Sequence, residues 1–160
     1  MEKSITLVGL LVLLFLGACQ NSTSISIIEE PAPDQDRLAS DQGIEMNLVE
    51  TEYEGSPEIM HVNISNHTEQ SCGYGDFYRV EINQDGVWHM VNYPENTYQK
   101  FPYFNDMGYT LKPKTSMTQE FAIGNYRLYL PSGEYRLTKT LLCPAPKGNE
   151  ITVSVPFTVK

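Results

Sequence analysis

From Ile151 to Val159 every second residue is apolar: Ile151, Val153, Val155, Phe157 and Val159 alternate with Thr152, Ser154, Pro156 and Thr158. A period of two sends alternate side chains to opposite faces of a strand. A helix over the same stretch would scatter those apolar groups around its axis, so the pattern requires a strand with one buried face. The same period recurs. Ile44, Met46 and Leu48 alternate with Glu45 and Asn47, and Met60, Val62 and Ile64 with His61, Asn63 and Ser65. Tyr78, Val80 and Ile82 alternate with Arg79 and Glu81, the turn sequence Asn83-Gln84-Asp85-Gly86 follows, and Val87 to Val91 returns, which predicts a β-hairpin. Further strands are expected over Ser116–Phe121, after the Pro113-Lys114-Thr115 turn, and over Glu134–Leu142, where Tyr135, Leu137 and Lys139 share one face. Short runs separated by Gly, Pro, Asn and Asp make the chain all-β, a sandwich or a barrel.

The first twenty residues obey a different rule. Lys3 precedes an uncharged apolar run from Ile5 to Leu16. That run has the length of a signal-peptide core and is too short to span a bilayer, which takes about 20 apolar residues. It ends in Leu16-Gly17-Ala18-Cys19, which resembles the bacterial lipobox. The resemblance implies cleavage before Cys19 and diacylglycerol on its thiol. Residues 1–18 are therefore expected to be a lipoprotein signal peptide, and the mature chain to sit on the extracytoplasmic face of a bacterial membrane. Two acyl chains suffice for stable anchoring, at about 0.8 kcal/mol per buried CH₂.

Residues 19–43 read as a lipidated flexible stalk. They hold Asn21-Ser22-Thr23-Ser24 and then Glu29-Glu30-Pro31-Ala32-Pro33-Asp34-Gln35-Asp36, too polar to offset chain entropy by burial. From Gln20 to Gly43 a random coil would span roughly 27 Å. Within it, Ser24-Ile25-Ser26-Ile27-Ile28 is apolar enough to dock or to form a short strand. Residues 44–160 are expected to form the folded domain.

With Cys19 assigned to lipid, Cys72 and Cys143 remain. An even pair in an oxidising compartment favours a disulfide over two buried thiols. Closing a loop between positions 71 apart in sequence would stabilise the fold by about 4 kcal/mol. The net charge of −9, with no basic stripe, argues against nucleic acid and against adsorption to anionic lipid without the anchor.

Leu130-Pro131-Ser132-Gly133-Glu134-Tyr135-Arg136-Leu137 sets a tight turn before a strand that opens with tyrosine. In immunoglobulin-like sandwiches such a tyrosine closes a corner by bonding back to the backbone, and Tyr135 is placed for that structural role. This stretch through Lys139, together with Asn63-Ile64-Ser65-Asn66, the run Tyr74 to Glu81, Gly86-Val87-Trp88 and Leu111-Lys112-Pro113, resembles the bacterial immunoglobulin-like domains of Firmicutes lipoproteins and secreted proteins. The resemblance spans about Ile44 to Lys160. It implies an immunoglobulin-like Greek-key β-sandwich of seven to nine strands. It carries no catalytic residue across. The chain departs from the pattern around Tyr126, where a second glycine-tyrosine pair is expected. In such a sandwich Cys72 precedes strand C and Cys143 follows strand F at the same end, so the two sulfurs can meet.

The sequence contains no Gly-x-Ser-x-Gly elbow, P-loop, His-Glu-x-x-His or EF-hand loop. His61, His67 and His89 have no ligand spacing with the cysteines, and Asp34 and Asp36 lack the rest of a calcium loop. No catalytic residue, metal or cofactor is expected. The unusual stretch is Tyr93 to Tyr109, with Tyr93, Tyr98, Phe101, Tyr103, Phe104 and Tyr109 among two prolines. Its rings can cap the core or serve as contact area, and the binding candidates are Tyr98, Phe101, Tyr103 and Phe104. The expected function is a monomeric, membrane-tethered, non-catalytic binding or adhesion module for a protein, peptide or glycan. The alternative is an extracytoplasmic protease inhibitor on the same scaffold, with Asn92–Asn105 as a protruding loop. A hydrolase or enzyme accessory would need converging carboxylates in a deep pocket.

Overall fold

The computed structural model of the protein describes residues 25–95, 97, 108–145 and 148–160. Among these, two antiparallel sheets face each other. The larger sheet runs β1 (Ile27–Pro31), β8 (Val87–Val91), β7 (Arg79–Gln84), β11 (Gly133–Cys143), β12 (Asn149–Val159) and β4 (Glu52–Tyr53), with β6 (Cys72–Tyr74) beside the end of β11 and β9 (Tyr109–Leu111) beyond it. Its one parallel pairing is β12 with β4. The smaller sheet runs β10 (Thr115–Phe121), β5 (Met60–Asn66), β3 (Ile44–Leu48) and β2 (Ser40–Asp41). The twelve strands exceed the expected seven to nine because β1, β2, β4, β6 and β9 are pieces of two to five residues, too short to show a period.

The alternation seen in the sequence is the alternation of the core. Ile44 and Met46, then Met60, Val62 and Ile64, face inward from the smaller sheet. Val80, Tyr135, Leu137, Leu141, Val153, Val155 and Phe157 meet them from the larger one. The hairpin turns at Asp85-Gly86, both in the left-handed region (φ 53° and 87°), and Asn83 Oδ1 accepts the Gly86 amide. Left-handed backbone at both central positions matches the twist of a two-residue hairpin. Tyr135 is fully buried, stacks on Phe157 at 5.4 Å and donates its hydroxyl to Pro131 O at 2.8 Å. Around Tyr126, where the sequence departs from the family pattern, Ile123–Tyr126 forms a 3₁₀ turn that buries Ile123 and Tyr126. The disulfide Cys72–Cys143 is formed, with Cα atoms 4.4 Å apart, and ties β6 to the end of β11.

Residues 25–43, assigned by sequence to a flexible stalk, are instead docked. β1 pairs with the outer edge of β8. Pro33 to Ala39 then crosses the outer face of the larger sheet as a strap and delivers the chain to β2. Ala32 is buried and donates its amide to Trp88 O, and Leu38 O accepts the Ser154 amide at 2.9 Å. The composition argument fails here because the strap buries little apolar surface of its own. It is held by polar groups of the sheet, which composition cannot reveal. Cys19 lies outside the described residues.

Candidate functional site

Beneath the strap, three guanidinium groups surround one carboxylate. Glu81 on β7 is fully buried and lies opposite Arg136 on β11. Arg136 Nε donates to Glu81 Oε2 at 2.7 Å, and Arg79 Nε, two residues along β7, donates to Oε1 at 2.8 Å. Arg136 also donates to the strap carbonyls of Asp34 and Gln35 and lies 4.7 Å over the Trp88 ring. Gln35 bonds both the amide and the carbonyl of Trp88. Arg37 completes the cluster with ion pairs of 3.4 Å to Asp34 and 3.5 Å to Glu81, and its Nε and Nη1 make no hydrogen bond. Burial, then the Arg79 charge, hold the Arg37 guanidinium below its ordinary pKa. This cluster is a clamp: a buried carboxylate fixes arginines that in turn hold the strap.

A second charged group lies inside the sandwich. Lys139 occupies an inward position of β11 between Leu137 and Leu141 and is almost wholly buried. Its Nζ donates to Gly75 O and to Phe77 O, and sits 3.9 Å over the Tyr78 ring. Tyr78 donates to Gln119 Oε1, Gln119 Nε2 donates to Asp76 Oδ1, and Tyr109 donates to Asp76 Oδ2. Burial pulls the Lys139 amine down to about 7, opposed by the Asp76 charge. The Tyr78 ring face and the two carbonyls favour the ammonium. The arrangement fixes the 75–77 loop.

A third place is concave. An open groove of about 510 Å³ is lined by Ile25, Ser26, Asn92 to Glu95 and Arg127 to Tyr129. Its walls are built by three pieces of chain. Ile25 and Ser26 lead into β1 and are held there by the Asn92 amide, which donates to Ser26 O at 2.8 Å. Tyr93 leaves β8 and donates its hydroxyl to Tyr78 O at 2.6 Å, with its ring against Tyr126 and Phe77. Arg127 follows the 3₁₀ turn with φ 55°, a left-handed conformation uncommon for a residue with a side chain, and its amide donates to Gly124 O at 3.0 Å. That reversal leaves Leu128 buried and Tyr129 58% exposed, a large ring displayed to solvent at the groove. Arg127 and Glu95 supply one charge of each sign.

Of the aromatic stretch, Tyr93 turns into the core and Tyr109 stacks on Tyr74 at 5.4 Å. The binding candidates Tyr98, Phe101, Tyr103 and Phe104 lie outside the described residues. His61 and His67 are exposed and face Glu120 and Glu45. Among the described residues, no group of His, Cys, Asp and Glu could hold a metal ion. Sequence reasoning missed Arg127 and Tyr129, which belong to no period. It also missed the weight of Glu81, Arg136 and Lys139. For Lys139 a signal existed: a charge in an apolar slot of an alternating strand.

Two sheets packed face to face and a corner tyrosine that bonds back to the backbone define an immunoglobulin-like sandwich. A family model described as a bacterial Ig-like domain matches residues 40–158, and the chain belongs to that family. Such domains serve binding and adhesion rather than catalysis. No curated protein matches the chain. Among solved structures, the X-ray structure of Northeast Structural Genomics Consortium target SoR45 is similar at 16% identity, covering 76% of this chain and 88% of that one, with a TM-score of 0.44. The strap precedes the matched span. No helix among the described residues is long and apolar enough to cross a membrane.

Proposed function

We propose that this protein is an extracytoplasmic lipoprotein, anchored through Cys19, whose Ig-like domain binds a protein, peptide or glycan in the groove between Asn92–Glu95 and Arg127–Tyr129. The observation that carries the reading is Tyr129. A tyrosine offers large contact area at low entropic cost, and this one stands exposed beside a cation in a concave site. Among the described residues that line it, the groove holds one carboxylate, Glu95, and no nucleophile paired with a base. The sequence pattern Leu16 to Cys19 supports the anchor.

The test has two arms. Mass spectrometry of the protein purified from membranes reads the Cys19 modification, and an unmodified Cys19 would refute the anchor. The full chain is then screened on peptide and glycan arrays, and hits are repeated with Tyr129→Ala and Arg127→Ala. Loss of binding in both variants supports the groove. Hits that survive both place the binding surface elsewhere.

A further inference from the structure

Resting on the Cys19 anchor proposed above, we infer that β1 and the strap are a force-released extension of the tether. Under tension between membrane and domain, residues 25–39 leave the larger sheet first, and the sandwich from β2 onward stays folded. Load from an upstream anchor enters the described chain at Ile25. It passes through β1 and the strap before it reaches the matched span, which starts at residue 40. β1 enters opposite Val91 and leaves opposite His89, so its N-terminal end points away from the turn of the β7–β8 hairpin. β12 runs out the other way: Val159 lies opposite Gly133, at the end of β11 nearer that turn. Tension between Ile25 and Lys160 therefore draws β1 and β12 in opposite directions along their own axes. Each strand is sheared against its neighbours under the same load, and the one with fewer bonds yields first.

The two strands are far from equal. β12 is bridged to β11 at every position from Asn149 to Val159 and buries Ile151, Val153, Val155, Phe157 and Val159. β1 is bridged to β8 at Ile27 and at Pro31, and the register slips between them. Pro31 and Pro33 have no amide to donate. Beyond β1 the strap is held by scattered polar contacts: Arg136 on the carbonyls of Asp34 and Gln35, the Gln35 side chain on Trp88, and the Ser154 amide on Leu38 O. Ala32 is the one buried residue between Ile25 and Ala39, so release exposes little apolar surface. Among the described residues, the rest of the buried apolar core lies at Ile44 or beyond. The sandwich therefore keeps its core when the strap leaves, and it remains as the template on which the strap docks again. Fifteen released residues add at most about 54 Å of reach. A partner held by the domain is thus followed outward for that distance before the domain itself is loaded to unfolding.

Force spectroscopy tests this on the unacylated chain from Cys19 to Lys160, with one handle on the Cys19 thiol and the other at the C-terminus. A first step of at most about 54 Å is expected, reversible on relaxation, followed at higher force by a separate step as the sandwich opens. Dithiothreitol should lengthen the second step, because it frees the chain between Cys72 and Cys143, and leave the first unchanged. Gln35→Ala should make the first step several-fold faster at fixed force and leave the second alone. A single step, a first step lengthened by dithiothreitol, or a Gln35→Ala effect shared by both steps would overturn the inference while leaving the anchor intact. An unmodified Cys19 in the mass spectrum would remove the load in the cell, and the inference would fall with the anchor whatever the traces show.

Discussion

Arg136 and Glu81 face each other across β11 and β7, both buried, and the arginine uses its remaining donors on two carbonyls of the strap. The pair is therefore a joint between the sheet and the chain that precedes the Ig-like span. Removing one partner leaves uncompensated buried charge, which typically costs about 3–5 kcal/mol. Glu81→Ala should lower the unfolding free energy, read by urea denaturation, by that order. Replacing Glu81 and Arg136 together with apolar residues should cost much less than the two single changes summed. A double-mutant cycle with additive terms would show that the two side chains are not coupled.

The strap should loosen before the domain does. Gln35→Ala removes the side chain that bonds both sides of the Trp88 peptide. Amide exchange at Ala32 and Ser154 should quicken by an order of magnitude or so, since a hydrogen bond contributes about 1 kcal/mol. Exchange at Val153 and Leu137 should not change. Uniform acceleration would mean that strap and sandwich open as one unit.

Stability should rise between pH 7 and about pH 10. The Lys139 amine titrates near 7 in the folded protein and near 10.5 unfolded. Below 7 the folded state bears the full cost of a buried ammonium. Between the two values the unfolded chain binds the extra proton, so stability increases with pH. The gain is at most about 5 kcal/mol. Tyrosines act in the opposite sense: burial pushes Tyr53 and Tyr135 up to about 12, and raises Tyr78 further. Above pH 10 the unfolded tyrosines ionise first and stability falls. Lys139→Met should flatten the rise and leave the fall, as read by thermal midpoints from pH 6 to 11.

Reduction of the disulfide should be costly. It closes a long loop, and its loss should remove about 4 kcal/mol. Denaturation in dithiothreitol, and of the Cys72→Ser, Cys143→Ser double variant, should agree in midpoint. A midpoint unchanged from the oxidised protein would show that the bridge adds nothing.

Tyr135→Phe should cost about 1 kcal/mol, since it removes only the hydroxyl that Pro131 O accepts. Tyr135→Ala should cost several times more through the cavity left against Phe157.

The long strands were legible in the sequence because their buried faces repeat every second residue. Met60 to Ile64 and Ile151 to Val159 lie where the alternation puts them, and so does the Asp85-Gly86 turn. The cysteine pairing was legible by arithmetic. The short pieces β4, β6 and β9 were not, because pairing and not pattern makes them strands. The strap was misread for a related reason. Arg37, Asp34 and Gln35 have the composition of a solvated linker, and their partners Glu81, Trp88 and Arg136 lie far away in sequence. The groove was half legible. Tyr93 marks its edge within the aromatic stretch, but Arg127 and Tyr129 come from a turn that carries no period.

The pairing of β1 with β8 also bears on how the protein behaves when cut. Val87-Trp88-His89-Met90-Val91 holds no Asp, Glu, Lys or Arg and is rich in residues that favour strands. Among the described residues, its outer edge is covered by β1 and the strap. A chain begun at residue 40, where the family match starts, would leave that edge open as a template for other strands. Such a fragment should aggregate at concentrations where the longer chain stays dispersed, so the acidic leader works as a built-in solubility guard.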